Sequence, residues 1–406
     1  MTPPVAAARP LDKPYAVKHQ SLAGDAEAGL VFQLARAGAV SEPLDLRSIE
    51  NWPRVLQLAS DENAIIALRD CLRSMSDSAI PLSVERYLAI LALDREFRMR
   101  QLRDRLEQTL IALNDAGIEV LLLKGGALAC TVYGSFAARP MRDIDILVRP
   151  HRAEEARALM LELEWESDPD VPGDRSYGTH HHLPPLRDVR TSGLRLEIHR
   201  AILPPGHPFR CTEDEIWRRA RGVTLGAGHA LVMQADHHAV HLAIHFAWSH
   251  MLRWGAWHAF RDLGALGASK AFDWDAFVDT ALRWGASSSC YWTLRLGAAL
   301  STLSVSSEVL SRLEPRFATT LAKPLMRHFV NGLARGDACP SVRLNQALWT
   351  MAMQPRREGH GRIRPWTVSE DLLFAADERA EAAGKAPASR FAQMSRSGRY
   401  LTEIIA

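Results

Sequence analysis

The chain has 406 residues, 47% of them hydrophobic and 24% charged, and a formal net charge of +2. That length suits two or three packed units of roughly 100–200 residues each, and so small a net charge speaks against nucleic acid or an anionic membrane as partner. Five cysteines, at positions 71, 130, 211, 290 and 339, form no CxxC pair, which argues against a disulfide scaffold or a cysteine-rich zinc site and fits a reducing, cytoplasmic setting.

Residues 1–25 are rich in Pro and Ala, lack periodicity and lack the apolar core of a signal peptide, so a flexible arm is expected. No run approaches the ~18 apolar residues that span a bilayer, and no membrane partner is expected. From 26 to 117 apolar residues recur three and four apart, as in Val55-Leu-Gln-Leu-Ala and Ile65-Ile-Ala-Leu. That spacing predicts a helical N-terminal region. Residues 86–116 read as one long amphipathic helix or two abutting ones, closed by Gly117 in the usual C-terminal glycine position.

The period then changes. The leucine and β-branched run at 118–124 predicts a short, well-buried strand. Gly125-Gly126 leads into a helix at 127–133, and Asp143-Ile-Asp-Ile-Leu-Val148 predicts a second strand. Pro150 suits the first turn of a helix at 151–164. Residues 165–175 read as a loop, and 177–187 and 194–200 as two further strands. Residues 118–210 thus form a small mixed-sheet core. A helical C-terminal region follows over 211–354, with its clearest helix at 237–250, and a tail over 355–406. The fold class is α+β, a small mixed sheet flanked by helical N- and C-terminal regions.

Chemistry concentrates on two of the strands. Side chains on a strand alternate faces, so Asp143 and Asp145 share one face and Ile144 and Ile146 the other. Adjacent carboxylates repel unless a cation lies between them, and Mg²⁺, or Mn²⁺ in its place, takes oxygen ligands there while gripping phosphate oxygens. In Leu194-Arg-Leu-Glu-Ile-His-Arg200, Arg195, Glu197 and His199 share a face. If this strand lies beside the first, Glu197 supplies a third carboxylate. Three carboxylates can hold the metals of an in-line phosphoryl displacement. Lys124-Gly125-Gly126 precedes a helix N-terminus, where free N–H groups can cradle a triphosphate. The P-loop pattern GxxxxGK[ST] is absent. Arg139 and Arg142 flank the acidic strand and are candidate phosphate contacts.

These segments, Lys124-Gly-Gly-Ala, Arg139-Pro-Met-Arg-Asp-Ile-Asp-Ile-Leu-Val and Leu196-Glu-Ile-His, resemble the uncharacterised bacterial nucleotidyltransferase family within the DNA polymerase beta-like superfamily. The resemblance extends to Glu215-Ile-Trp-Arg-Arg-Ala, His241-Leu-Ala-Ile-His245 and Arg261-Asp262-Leu. It implies catalytic and metal-binding roles for Asp143, Asp145 and Glu197. It also implies nucleotide binding by Lys124, Gly125, Gly126, Arg139, Arg142 and His199. The donor would be a nucleoside triphosphate, and the acceptor a hydroxyl or phosphate on a small molecule, peptide or protein. Two positions depart from the superfamily pattern. Gly125-Gly126 stands where Gly-Ser is usual, which removes a hydroxyl, and Glu197 stands where aspartate is more frequent.

Other readings remain open on the sequence. The same metal site would serve kinase-like transfer of a terminal phosphate, and the fold would serve a non-catalytic nucleotide-binding or scaffold protein. His180-His-His182, joined by His199, permits a zinc site, and the reading preferred over it is a polar strand beside the active site. His237, His241 and His245 recur at helical spacing and are expected on a helix packed against the core. Arg261 and Asp262 are expected to form a buried ion pair that braces helices.

Overall fold

The computed structural model describes residues 25–35, 46–75, 80–169, 177–178, 180–191, 193–335, 339–355 and 390–405. Nearly all of the expected N-terminal arm, the end of the 165–175 loop and most of the tail lie outside these.

Four helices open the described chain: α1 (Ala26–Gln33), α2 (Trp52–Asp61), α3 (Ile65–Ser74) and α4 (Leu82–Asp115). The Asn51 side chain accepts the Arg54 N–H and caps α2, satisfying a donor that the first helical turn leaves free. Of the two readings of residues 86–116, one long helix or two abutting ones, the structure shows the first, beginning at Leu82, and Gly117 ends it at φ +65°, the left-handed geometry that glycine tolerates.

After α4 come β1 (Leu121–Leu122), α5 (Lys124–Thr131), β2 (Asp143–Leu147) and α6 (Ala153–Glu162). Next are β3 (Trp165–Ser167), β4 (Leu186–Asp188) and β5 (Arg195–His199). A short helix α7 (Glu213–Arg219) leads into β6 (Arg221–Leu225) and β7 (Gly228–Val232). The seven strands form one mixed sheet in the order β3-β4-β5-β2-β1-β7-β6. β2 runs parallel to β5 and antiparallel to β1, and β1 runs parallel to β7.

Several strands differ from expectation. The run at 118–124 ladders only at Leu121 and Leu122, because Lys124 turns to φ +45° and starts α5. The strand expected over 177–187 shrinks to β4 and a single bridge from His182 to His199, because Pro184 and Pro185 have no N–H to give a ladder. Part of the expected loop at 165–175 is strand β3. The region read as helical from 211 opens with α7 but then holds the β6–β7 hairpin, which carries the sheet past residue 210. Gly226, at φ +57°, supplies its turn.

The remaining helices are α8 (Ala235–Ile244), α9 (Ala256–Gly267), α10 (Trp274–Trp284), α11 (Ser287–Leu300) and α12 (Ser307–Leu313). Beyond these lie α13 (Ala318–Arg335), α14 (Val342–Ala352) and α15 (Arg390–Ile405). A π-helical turn, His245–Ser249, follows α8. None of the described helices is long and apolar enough to cross a membrane. The cysteines form no disulfide.

Strand alternation divides the interior into two cores. Ile144, Ile146, Leu196 and Ile198 point to one face and pack with Leu102, Leu106 and Leu110 of α4 and Met160 of α6. Leu121, Leu123 and Leu147 point to the other face and join the helical core built from Val240, Trp257, Trp292 and their neighbours. The acidic residues of β2 and β5 lie on this second face, where helices approach the sheet without closing on it.

Gly228 lies where β7 crosses α4. A Cβ there would stand 2.7 Å from the Leu110 Cβ, which is fixed to the α4 backbone, and 3.3 Å from the Glu107 carbonyl oxygen. Gly228→Ala is therefore expected to destabilise the protein by about 1–3 kcal/mol, read as a lowered urea midpoint. Gly126→Ala, whose Cβ would meet nothing within 4 Å, is the matched control and is expected to leave the midpoint near wild type.

Candidate active site

The parallel register of β2 and β5 sets Asp145 opposite Glu197 and Asp143 opposite Arg195. Asp143, Asp145 and Glu197 therefore project from one face of the sheet, as the alternation argument expects. Lys124, at the turn from β1 into α5, reaches across. Its Nζ donates to Asp145 Oδ1 at 2.8 Å. His199 Nε2 lies 3.0 Å from the same oxygen and 3.4 Å from Glu197 Oε2. Lys124 holds a backbone conformation that non-glycine residues rarely adopt, and such strain gathers at functional sites.

The charges explain the protonation states. Burial works against the Lys124 ammonium, but the carboxylates of Asp145, Glu197 and Asp143 outweigh it and hold the proton above the usual lysine range. Burial likewise opposes charge on Asp145, and Lys124 and His199 overcome it, keeping this carboxylate well below its ordinary value. Glu197 is lowered against its burial by the His199 hydrogen bond, and His199 is raised against its own burial by Asp145 and Glu197. Asp143 goes the other way. Burial and the neighbouring charge of Asp145 push it up to about 7, with Lys124 only partly offsetting them. Among the described residues no ion pair holds Asp143.

Lys124 and His199 thus face three carboxyl groups. Donor atoms of Asp145, Glu197 and His199 all lie within 4.8 Å of one another. This excess of oxygen donors over positive charge fits a hard divalent cation.

The site opens into a cavity of about 1080 Å³. Its floor is Lys124, Gly125, Asp143, Asp145 and Glu197, and one wall is His180, His181 and His182. The rest of the lining comes from Glu62 and Asn63 between α2 and α3, Pro204 to Gly206, and the stretch from His245 to His258, of which only the His245 end lay in a segment singled out in the sequence. Glu62 accepts the Trp257 N–H at 3.0 Å at the start of α9, and burial raises its proton affinity. Met251 and Leu252 have φ of +50° and +58°, placing a strained turn at the cavity wall directly after the π-helical turn. Burial keeps the surrounding imidazoles neutral: His180 and His250 are each lowered to about 4, and His245 and His258 fall well below their ordinary value.

The two flanking arginines are tied into the protein. Arg139 grips Asp262 with two parallel contacts, Nε to Oδ1 at 2.7 Å and Nη2 to Oδ2 at 2.8 Å, and its Nη1 donates to the Pro140 carbonyl. Asp262 also accepts the Tyr133 hydroxyl at 2.8 Å. The buried pair expected between Arg261 and Asp262 is therefore formed by Arg139 and Asp262, while Arg261 donates to the Ala138 carbonyl. Neighbours along a helix point apart, so Arg261 and Asp262 diverge. Arg142 donates to the carbonyls of Ser60 and Asp61, each at 3.1 Å, and holds the start of β2 against the end of α2.

Gly125 and Gly126 lie in the first turn of α5, and Gly125 lines the cavity floor. A Cβ on Gly125 would touch Arg139 and Met141 at 3.4 Å. The residues of the histidine helix part company. His237 faces Glu215 at 3.2 Å and packs on Trp284, His241 is buried, and His245 reaches the cavity. Among the described residues, the donor groups that converge are Asp145, Glu197 and His199, and separately His180, His181 and His182.

No curated protein matches the chain at a significant level. Residues 48–301, more than half of the chain and the whole of this site, match the profile of the uncharacterised nucleotidyltransferase family, so the chain belongs to that family of transferases of phosphorus-containing groups.

Proposed function

We propose that the protein transfers a nucleoside monophosphate from a nucleoside triphosphate to a hydroxyl or phosphate acceptor, releasing pyrophosphate in a reaction that depends on Mg²⁺ or Mn²⁺. The observation that carries this reading is the cross-strand pairing of Asp145 with Glu197, beside Asp143, on the floor of a cavity large enough for a nucleotide and a second substrate. Asp143, Asp145 and Glu197 would hold the metal, which when bound stabilises negative charge on phosphoryl oxygens. Lys124 holds Asp145 in orientation and adds positive charge beside the triphosphate. The free N–H groups of the first turn of α5, at Gly125 and Gly126, would bind phosphate oxygens. Arg139 and Arg142 act as positioning residues that hold the approach to β2. His199 holds Asp145 through Oδ1 and Glu197 through Oε2. The neutral, aromatic and histidine-lined wall facing the carboxylates is the place for the acceptor.

The test is a screen of nucleoside triphosphates with candidate acceptors, comparing α- and γ-labelled donors. Label from the α position is expected in the product, with pyrophosphate released and the reaction lost on chelation. Transfer of γ label with release of a nucleoside diphosphate would establish the kinase-like reaction instead. Absence of Mg²⁺-dependent nucleotide binding by calorimetry would leave a scaffold role.

A further inference from the structure

Three successive histidines on a strand would point to alternate faces. His180, His181 and His182 instead converge. Their ring centroids stand 4.2 Å apart for 180 and 182, 4.4 Å for 180 and 181, and 4.8 Å for 181 and 182. One donor nitrogen from each lies within 4.8 Å of the others. Nδ1 of His180 and Nδ1 of His181 are buried without a hydrogen-bond partner among the described residues, as are ring nitrogens of His237, His238, His241 and His258 elsewhere, and each such atom costs about 1–3 kcal/mol unless a ligand takes it.

The third ring has its tautomer set. His182 Nδ1 lies 2.7 Å from the Leu183 carbonyl oxygen, so Nδ1 carries the proton and donates it, and Nε2 keeps its lone pair. A backbone carbonyl fixing one nitrogen so that the other can ligate is the usual support of a metal-binding histidine. The Nε2 so exposed faces Glu197 Oε2 at 4.0 Å. The backbone beneath the triplet is clamped. Arg200 Nε donates to the His180 carbonyl at 3.0 Å, the Arg200 N–H donates to the His181 carbonyl at 2.9 Å, and His182 bridges to His199.

We propose that His180, His181 and His182 bind a borderline divalent transition cation of the Zn²⁺ class, with Glu197 as the fourth ligand. Three imidazoles and one carboxylate make a tetrahedral set suited to such an ion, whereas Mg²⁺ prefers an octahedral shell of oxygens. The site adjoins the carboxylate set and shares with it Glu197, whose Oε2 lies 3.4 Å from His199 Nε2 and 4.0 Å from His182 Nε2. The proposal concerns metal binding alone and stands whether or not nucleotidyl transfer is the reaction.

The experiment uses the full chain stripped with a chelator and titrated with Co²⁺, followed by its visible d–d absorption and by competition with Zn²⁺. One Co²⁺ per chain with the intense tetrahedral spectrum is expected, displaced by Zn²⁺ and not by millimolar Mg²⁺. Asp143→Asn is expected to retain that spectrum. His180→Gln and His182→Gln, which preserve side-chain bulk, are expected to weaken Co²⁺ binding on the order of 100-fold or more while keeping the wild-type circular dichroism spectrum. A weak octahedral spectrum in the wild-type chain would overturn the proposal even if the glutamine variants failed to fold. So would unchanged Co²⁺ affinity in both variants, or loss of the tetrahedral spectrum in Asp143→Asn.

Discussion

Asp143→Asn is expected to reduce metal-dependent turnover by about 10³-fold or more while making the metal-free protein more stable above neutral pH. The first effect follows from the loss of a carboxylate from the proposed metal site. The second follows from the folded-state proton affinity of Asp143, pushed up to about 7 from an ordinary 3.8 by burial and by Asp145. Below pH 3.8 the group is protonated in both folded and unfolded chains and contributes nothing. Between the two values the folded chain holds a proton that the unfolded chain has released, so stability declines as pH rises. Above about 7 the carboxylate is charged in both states and the full penalty persists. Asparagine has no such decline. Because Asp143 is partly exposed, solvent screening limits the gain to about 1–3 kcal/mol. Urea midpoints of wild type and variant should therefore coincide near pH 4 and separate by pH 8. Adding Mg²⁺ should raise the wild-type midpoint and leave the variant's unmoved, since a ligand stabilises only the state that binds it. Equal turnover in the two proteins, within tenfold, would falsify the assignment of Asp143.

The second large effect is expected at a buried ion pair in the cavity lining. Asp262→Ala should destabilise the protein by about 3–5 kcal/mol, because it leaves the Arg139 guanidinium buried and uncompensated. It also strands the Tyr133 hydroxyl. Arg139→Lys should lose much of the same stability, since an ammonium cannot reproduce the two parallel contacts. The double replacement Arg139→Met with Asp262→Leu removes both charges and should lie closer to wild type than Asp262→Ala alone. A urea double-mutant cycle over Arg139→Met, Asp262→Leu and their combination measures the coupling. If the two single changes add without interaction, the pair is not the brace between α9 and the approach to β2.

Local pattern made part of this site legible. Alternation at Asp143-Ile-Asp145 and Leu196-Glu197-Ile198 was enough to assign faces, because the apolar members of each strand pack into one core and a one-residue slip would drive the carboxylates into it. Gly117 and the long α4 followed from helical period and end chemistry. What stayed hidden depends on contacts distant in sequence. Arg139 and Asp262 are 123 residues apart, and nothing near either marks its partner. The β6–β7 hairpin is short and sits between helices, so its alternation was drowned by its flanks. Its signals were Gly226 at the turn and the alternating burial of β7. The convergence of His180, His181 and His182 depends on a bend before Pro184 and Pro185, whereas a strand reading predicts divergence. The distal cavity wall comes from turns after α2 and α8, whose conformations no periodicity encodes.

The position of β1 in the sheet has a consequence for how the chain is made. One neighbour, β2, is synthesised one helix later. The other, β7, emerges only after more than a hundred further residues. Until then Leu121 and Leu122 border a strand edge with open hydrogen-bonding groups, the kind of edge that recruits other chains. A nascent or truncated chain stopping near residue 210 would contain every acidic residue of the site and still lack the strand that closes its sheet. The smallest segment able to fold around the site therefore runs at least through Val232, and the order of synthesis delays assembly of the cleft until the hairpin has left the ribosome.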